Sequence, residues 1–297
     1  MASLKEVKNR INSVKSTRQI TSAMKMVASA KLHKAQNRIG NMLPYQQMLN
    51  RILTNFLGTD MAIESAFTEV RPVTRVAIVP FSSNSSLCGA FNSNVARLLE
   101  KTVSEYSSIG RENIVLYPVG KKIEESVKKL GFSFEKSYQA MADKPSYAES
   151  CLLAQKLMQD FLEQRIDAVQ LIYHHFKSTG SQVLVREEFL PIDLEKIRKE
   201  ALSKAVSANS SVYNNDYIIE PSAKQIIIDL LPKVLCQKIY TVLLDSNASE
   251  HAARTMAMQT ATDNANDLIQ DLTKQYNKSR QQAITNELLD IIGGSMK

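Results

Sequence analysis

The sequence MASLKEVKNRINSVKSTRQITSAMKMVASAKLHKAQNRIG, residues 1–40, sets the organisation of this 297-residue chain. Neither Gly nor Pro occurs between Ala2 and Ile39, so nothing in this stretch interrupts a helix. Its apolar side chains alternate in steps of three and four residues, as the seam of a coiled coil requires. We predict a seam at Leu4, Val7, Ile11 and Val14 that then slips in register, continues through Ile20, Met24 and Val27, and becomes small at Ala28, Ala30 and Ala35.

The positive charge of the chain is concentrated in the same stretch. Residues 1–40 hold nine Lys or Arg side chains and one acid, Glu6, which gives this segment a net charge of +8 compared with +7 for the whole chain. Solubility does not need so strong a bias. The basic face therefore predicts an acidic partner, either a nucleic acid or a protein that surrounds the helix. Because no aromatic side chain that could stack on bases occurs before Tyr45, single-strand binding is the weaker alternative.

A second long helix is predicted at the other end of the chain. Lys233–Ile292 is a run of 60 residues without Gly or Pro, which would span about 90 Å as one helix. Gly293 and Gly294 are expected to end it. Because the two helices flank one central segment, we expect them to pair antiparallel. The predicted seam of this helix includes Leu235, Ile239, Val242, Ala253, Met256, Leu268, Leu272, Tyr276, Leu288 and Ile291.

Strand and helix patterns alternate in the middle of the chain. Continuous apolar strands between helices indicate a Rossmann-like α/β domain with a parallel sheet that is covered on both faces. The predicted fold class is therefore α/β plus a long antiparallel coiled coil, in which the N- and C-terminal helices form a shaft and the α/β domain is inserted between them. Strands are predicted at Val73–Val79, Asn113–Val119, Ala168–Phe176 and Gln182–Leu190, with an edge strand at Phe132–Tyr138, and helices at 92–106, 121–130 and 147–164.

Composition shifts predict the domain limits. We assign an N-terminal coiled-coil helix to residues 1–58, the α/β domain to 70–192, an irregular excursion to 193–220 and a C-terminal coiled-coil helix to 221–297. Gly40 and Pro44 are expected to interrupt the first helix, and Pro232 to kink or restart the last one.

No enzyme motif stands out. The segment PFSSNSSLCGAFN, residues 80–92, lies where phosphate loops occur but lacks their glycine and lysine pattern, so we predict a turn with a Ser or Asn helix cap. His174 and His175 are adjacent on a strand and face opposite ways, which favours structural roles. Cys88, Cys151 and Cys236 are widely spaced and predicted to be reduced thiols. We predict no catalytic residue, no cofactor and no metal site.

Targeting signals are equally sparse. No run of 18 apolar residues occurs, and the basic N-terminus lacks the apolar core of a secretory signal. A mitochondrial transit peptide is an alternative interpretation of the basic helix, but the seam has a matching partner at the other end of the chain.

The two terminal blocks resemble one known family. LKEVKNRINSVKSTRQITSAMKMVASAKLHKAQ at residues 4–36 and ASEHAARTMAMQTATDNANDLIQDLTKQYNKSRQQAITNELLDIIGG at residues 248–294 resemble the γ subunit of F-type ATP synthase, and SSLCGAFN is similar to a strand-turn segment of that family. The resemblance implies a non-catalytic rotor shaft inside a ring of α and β subunits. Its foot would bind the ε subunit and the c-ring, with the chain peripheral on the cytoplasmic face of a bacterial plasma membrane. Rotation would couple proton or sodium flow to ATP synthesis at β.

The resemblance also implies site residues. Met24 and Lys25 match the part of the shaft that faces acidic loops of β, and Arg254 lies on the returning helix. Positions in the upper shaft that hydrogen-bond a catch loop of β correspond to Arg280, Gln281, Thr285 and Glu287. Tyr217 and Glu220, in the YIIEP stretch, fall in the foot region. A basic coiled-coil protein that binds nucleic acid remains the alternative function.

Overall fold

The computed structural model describes residues 4–57, 65–193, 220 and 222–295. Two long helices, α1 (Leu4–Leu57) and α6 (Ala223–Ser295), flank the segment that forms a four-stranded sheet, as the predicted fold class requires. The elements between them are β1 (Val76–Pro80), α2 (Phe91–Glu105), β2 (Ile114–Leu116), α3 (Lys121–Lys129), α4 (Gln139–Asp143), α5 (Tyr147–Leu162), β3 (Ala168–Ser178) and β4 (Ser181–Leu190).

The chain divides into two compact units. The terminal unit contains residues 4–30 of α1 and 254–295 of α6. The central unit contains the described residues between 31 and 253, including the whole sheet. Most of the predicted excursion, residues 194–219, lies outside the described residues.

The sheet is mixed rather than parallel, which corrects the prediction. Its strand order is β2-β1-β3-β4. β1 pairs in parallel with β2 and with β3, and β3 pairs antiparallel with β4. The reason is the connection, because only residues 179 and 180 separate β3 from β4. Two residues can close a hairpin, whereas a parallel crossover needs a dozen or more.

Both faces of the sheet are covered, as predicted. On one face, Val79 and Leu171 pack with α5 and with the Leu235–Leu243 part of α6. On the other face, Ile78 and Ile172 pack with α2 and α3. Adjacent strand residues belong to opposite faces, so strands with continuous apolar runs supply both layers of the core.

The predicted edge strand at Phe132–Tyr138 is wrong, since this segment contains no strand. Instead it turns around the end of α3, where the backbone N–H of Phe132 donates to Val127 O at 3.1 Å. Its later part is held by the buried carboxylate of Glu124, which accepts a hydrogen bond from Ser137 Oγ at 2.6 Å. Side-chain contacts with α3 thus replace strand pairing.

The predicted interruptions of the long helices are also wrong. α1 runs through Gly40 and Pro44, and α6 runs through Pro232. Glycine and proline cost about 1 and about 3 kcal/mol in a helix interior. Each buried leucine contributes about 1.5–3 kcal/mol, and Leu53 packs against Leu231 with both side chains almost fully buried. Apolar packing on the far side of each breaker therefore maintains the helix. α6 also runs through Gly293 and Gly294, which were expected to end it, as far as Ser295, the last described residue.

Candidate functional site in the paired terminal helices

Within the terminal unit, α1 and α6 pair antiparallel, as predicted. Val7 and Ile11 are buried against Leu272, and Val14 and Tyr276 complete this apolar cluster. Farther along α1 the partners on α6 have lower residue numbers, which defines the opposite chain directions. The first half of the predicted seam is confirmed by this cluster.

The predicted register slip of the seam is wrong. Ile20 and Val27 are 60% and 58% exposed, whereas Thr21 and Ala28 are 9% and 2% exposed. Buried positions on α1 thus continue at intervals of seven residues from Val7, and the heptad does not break. Hydrophobicity was a poor guide here because polar side chains enter a seam when they find partners across it.

Pairs of polar side chains cross the seam in the described part of the coil, and we call three successive ones the polar ladder. They occupy the seam positions that follow the apolar cluster on α1. In the polar ladder, Arg18 Nη1 donates to Asn266 Oδ1 at 3.2 Å, the hydroxyls of Thr21 and Thr262 lie 2.8 Å apart, and Lys25 Nζ donates to Gln259 Oε1 at 2.7 Å.

The last pair of the polar ladder extends to a carboxylate. Gln259 accepts from Lys25 and donates through Nε2 to both oxygens of Asp263, at 2.9 Å each. The carboxamide therefore bridges a cation on α1 and an anion on α6. Both hydrogen bonds of this bridge involve a charged group, and such bonds are roughly twice as strong as neutral ones.

Met24, Lys25 and Arg254 were predicted to face a partner. Met24 and Lys25 are half-buried, and the ammonium group of Lys25 is bonded inside the coil. Arg254 is buried, with 8% of its surface exposed. Met26 and Val27, the next two residues of α1, are 64% and 58% exposed and are therefore more accessible to a partner than Met24 and Lys25.

The second predicted group lies farther along α6. Arg280, Gln281, Thr285 and Glu287 are all exposed, and Thr285 Oγ1 donates to the carbonyl of Gln281 at 2.9 Å. Helical rise separates Arg280 from the partner of Lys25 by about 30 Å. The two predicted groups therefore lie far apart along α6. Of the predicted foot residues, Glu220 is exposed and Tyr217 lies outside the described residues.

Apolar side chains near the end of α6 are exposed, which corrects the prediction of Leu288 and Ile291 as seam residues. Ile284, Leu288 and Ile291 are 47%, 54% and 68% exposed. The described part of α1 begins at Leu4, about one heptad before Ile11, so its pairing with α6 runs out about one heptad beyond Leu272. An exposed apolar stripe of this kind marks a protein contact surface.

The polar groups of the loop between β1 and α2 are bonded to one another and to α3, which favours the predicted turn over a phosphate site. Asn84 Oδ1 accepts from Lys121 N at 2.8 Å, and Ser82 Oγ accepts from Ile123 N at 3.0 Å. The N-terminal amides of α3 are thereby occupied. The predicted cap of α2 is wrong, since Ala90 takes the capping position without a side-chain hydrogen bond.

Helix α6 fills the crevice where an open α/β sheet would bind a ligand. This crevice lies at the carboxyl ends of β1 and β3, where the chain winds to opposite sides of the sheet. There Asn247 Nδ2 donates to Ala142 O at 2.9 Å, and Ser249 Oγ donates to His174 O at 3.1 Å. The domain's usual ligand position is thus occupied by its own chain.

The two adjacent histidines have different surroundings. His174 is buried, its ring stacks on Phe91 at 4.4 Å, and burial lowers its pKa to about 4. His175 is half-exposed and its Nδ1 lies 2.6 Å from Asp245 Oδ2. Burial raises the pKa of Asp245, although the bond from His175 opposes that shift. Among the described residues, no group of three or more His, Cys, Asp or Glu side chains is placed to hold a metal ion.

Sequence reasoning missed five members of the polar ladder. A signal was available, because extending the heptad from Val7 and Val14 without a slip reaches Thr21 and Ala28.

We also find that none of the helices in the described part of the chain is both long and apolar enough to span a membrane.

Comparison with known proteins gives one consistent result. The ATP synthase family matches residues 3–296. The ATP synthase gamma chain of Bacteroides fragilis is 68% identical over 296 residues, which cover 100% of both chains. The gamma chain of Flavobacterium johnsoniae is 41% identical over 296 residues, covering 99% of this chain and 98% of the relative.

Solved structures resemble the fold. The central stalk and c-ring structure of the Tetrahymena thermophila mitochondrial ATP synthase contains a chain that is 25% identical, with a TM-score of 0.57 and coverage of 82% of this chain and 99% of that one. A chain of the Euglena gracilis mitochondrial ATP synthase is 22% identical with a TM-score of 0.65, covering 99% and 93%. Matches to relatives over their full length, together with paired terminal helices around a central sheet, show that this chain belongs to the family of ATP synthase gamma chains.

Proposed function

We propose that this chain is the central rotor subunit of an F-type ATP synthase. Its paired terminal helices turn inside a ring of alternating α and β subunits, driven by proton or sodium flow through the c-ring. A binding partner that contacts two states of a protein unequally shifts their populations. The asymmetric surface of the coil acts in this way, because at each rotational angle it favours a different state of each β subunit. The surrounding subunits carry the catalytic residues, and this chain catalyses no reaction itself.

The exposed apolar stripe near the end of α6 carries this proposal. Ile284, Leu288 and Ile291 recur at steps of four and three residues, which places them on one side of the helix. Such a stripe is costly in water and suits an enclosing protein collar. Arg280, Gln281 and Glu287 lie three or four residues from Ile284 and so border the same stripe, where they and Thr285 meet the catch loop of β.

The charge of α1 fits a carboxylate-bearing partner. Lys8, Arg10 and Lys15 are exposed and surround the coil with positive charge. Lys25 is bonded to α6, and its charge attracts the acidic loops of β from within the seam. Met24 provides an apolar contact with the same loops. Complementary potentials guide such contacts and their register. The alternative function, nucleic-acid binding, is disfavoured because no aromatic side chain that could stack on bases occurs in α1 before Tyr45.

The remaining contacts follow from the same proposal. Tyr217 and Glu220 lie in the foot that binds the ε subunit and the c-ring. The chain is then peripheral to the membrane, on the cytoplasmic face of a bacterial inner membrane, and it carries no cofactor.

Co-purification tests the proposal directly. An affinity-tagged chain, expressed in place of the native gamma chain, is expected to bring down α and β subunits from detergent-solubilised membranes and to support ATP synthesis in vesicles. The variant Ile284→Ser/Leu288→Ser/Ile291→Ser should fold normally, because these side chains are exposed, yet should lower the yield of complex.

A matched control replaces exposed apolar residues elsewhere. Leu152→Ser/Leu162→Ser changes α5, where these side chains are 61% and 49% exposed, and should leave the α and β yield unchanged. Recovery of the tagged chain without α and β, or with nucleic acid in their place, would refute the rotor function.

A further inference from the structure

We propose that the polar ladder fixes the axial register of α1 against α6 and thereby prevents the paired helices from slipping under torque. The register role of the polar ladder follows from the terminal unit alone. Its torque role rests on the rotor function proposed above.

Apolar packing alone defines this register weakly. Beyond the apolar cluster, the buried apolar side chains of the terminal unit are Ala28 and Ala265, 2% and 4% exposed, and the unbranched, flexible Met258, 4% exposed. Alanine side chains bury little area and have no shape that distinguishes one offset from another. Coiled coils with such seams commonly use buried polar residues to specify register, at a cost in stability.

The polar ladder supplies the missing discrimination. A shift of α6 by one heptad, about 10 Å, keeps a seam position opposite every seam position. In one direction the shift would set Thr21 opposite Ile269, and its hydroxyl would lose the partner across the seam. In the other direction it would set Ala252 opposite Lys25, leaving a half-buried cation without Gln259. Buried polar groups without partners are strongly disfavoured, so only the observed register satisfies all three pairs.

The end of α6 explains why register matters for a rotor. Because α6 continues past the pairing with α1, a load on its end reaches the paired part of α1 across the seam. Supercoiling inclines the helices to their common axis, so part of that load acts along the axis. Directional hydrogen bonds resist this sliding, whereas small apolar side chains offer little resistance.

An apolar seam variant separates register from stability. Replacing a hydrogen-bonded buried set by apolar residues of similar volume is often neutral or stabilising, so the variant is expected to fold. The seam variant combines Arg18→Met, Thr21→Val, Lys25→Met, Gln259→Leu, Thr262→Val and Asn266→Leu.

Distances between two spin labels report the register. Nitroxides are attached to cysteines introduced at the exposed positions Lys15 and Lys278, in the full chain with its three native cysteines replaced by alanine. These positions are offset along the coil, so a slip of one heptad changes their separation by about 10 Å. Double electron–electron resonance should give one distance for the native ladder and an additional distance, displaced by about 10 Å, for the seam variant.

A surface variant provides the control. Thr17→Val/Thr260→Val/Gln270→Leu repeats the two Thr→Val changes and the Gln→Leu change of the seam variant at exposed positions and should keep the single distance. One unchanged distance in the seam variant, or several distances with the native ladder intact, would overturn the register proposal.

A second readout addresses torque in the assembled complex. Membrane vesicles containing the seam variant should hydrolyse ATP. The ratio of their ATP synthesis rate to their ATP hydrolysis rate, measured in separate assays, should be several-fold lower than for vesicles containing the surface variant. Restoring the Lys25–Gln259 pair alone should recover part of this ratio. An unchanged ratio together with a shifted distance would overturn the torque role and leave the register role intact, whereas failure of the native chain to assemble would count against the rotor function itself.

Discussion

Lys25 Nζ and Gln259 Oε1 lie 2.7 Å apart and join the first and last helices of the chain. Gln259 can satisfy Lys25 and Asp263 together only because a carboxamide has an acceptor end and a donor end. The side chain predicted to face a partner is therefore also part of the seam. A change of the charge at Lys25 therefore affects the coil directly, in addition to any contact with a partner.

Reversal of the charge at Lys25 is expected to weaken the coil and the coupling of ATP hydrolysis to ion pumping more than it affects assembly. In Lys25→Glu either orientation of the Gln259 carboxamide sets its oxygen against a carboxylate, the introduced one or that of Asp263, with an expected cost of about 1–3 kcal/mol. The second change Asp263→Lys lets the flipped carboxamide serve both charges and should restore stability. Thermal unfolding and vesicle coupling ratios measure both effects.

Lys15→Glu is the control for that prediction, because Lys15 is exposed on the same helix. Equal effects of Lys15→Glu and Lys25→Glu would show that overall charge, rather than the bond to Gln259, is responsible.

Two glycines should respond to alanine in opposite directions. At Gly40 an added Cβ would meet no atom within 4 Å, so Gly40→Ala should raise the free energy of unfolding by about 1 kcal/mol through helix propensity. At Gly120 the backbone has φ +104° and the added Cβ would lie 2.4 Å from Ser82 O, so Gly120→Ala should destabilise the central unit by more than about 2 kcal/mol. Urea unfolding measures both, and a stabilising Gly120→Ala would contradict the close approach of Ser82.

Asn84 should stabilise the loop after β1 through both ends of its carboxamide. It accepts from Lys121 N and donates to Gln139 O, each at 2.8 Å. Asn84→Ala removes both bonds and should cost about 1–3 kcal/mol, whereas Asn84→Asp removes only the donor and should cost less. Urea unfolding ranks the variants, with Ser93→Ala, an exposed single hydrogen bond, as the reference. Equal losses for Ala and Asp would contradict the acceptor role.

His174 should make the stability of the chain depend on pH. Burial lowers its pKa to about 4 from 6.5, so the unfolded chain binds a proton in this range and the folded chain does not. The free energy of unfolding should therefore fall as the pH drops from about 6.5 to about 4, by up to about 1.4 kcal/mol per pH unit. His174→Phe preserves stacking on Phe91 and should flatten this dependence in urea titrations at about pH 5 and pH 7.

The native chain provides the comparison for His174→Phe. A pH dependence of unfolding in His174→Phe as steep as that of the native chain would assign the effect to another group.

Periodicity along the chain was sufficient to predict the class of the fold. Long runs without Gly or Pro predicted the terminal helices, and alternating apolar strands and helices predicted the covered sheet. Both signals are local, since a helix or strand repeats its burial pattern over many residues and errors at single positions average out. Family motifs in the terminal blocks likewise predicted the gamma-chain family.

Only tertiary contacts determined which residues occupy the seam and how the sheet is closed. Thr21 is buried and Ile20 exposed because Thr262 lies across the seam to accept or donate a hydrogen bond, and no property of Thr21 itself reveals that partner. Pro44 lies within a helix because Leu53 packs against Leu231 far away in the sequence. Each case depends on a contact between two residues that are far apart in the sequence. Such a contact stabilises the chain only after folding has brought both side chains together.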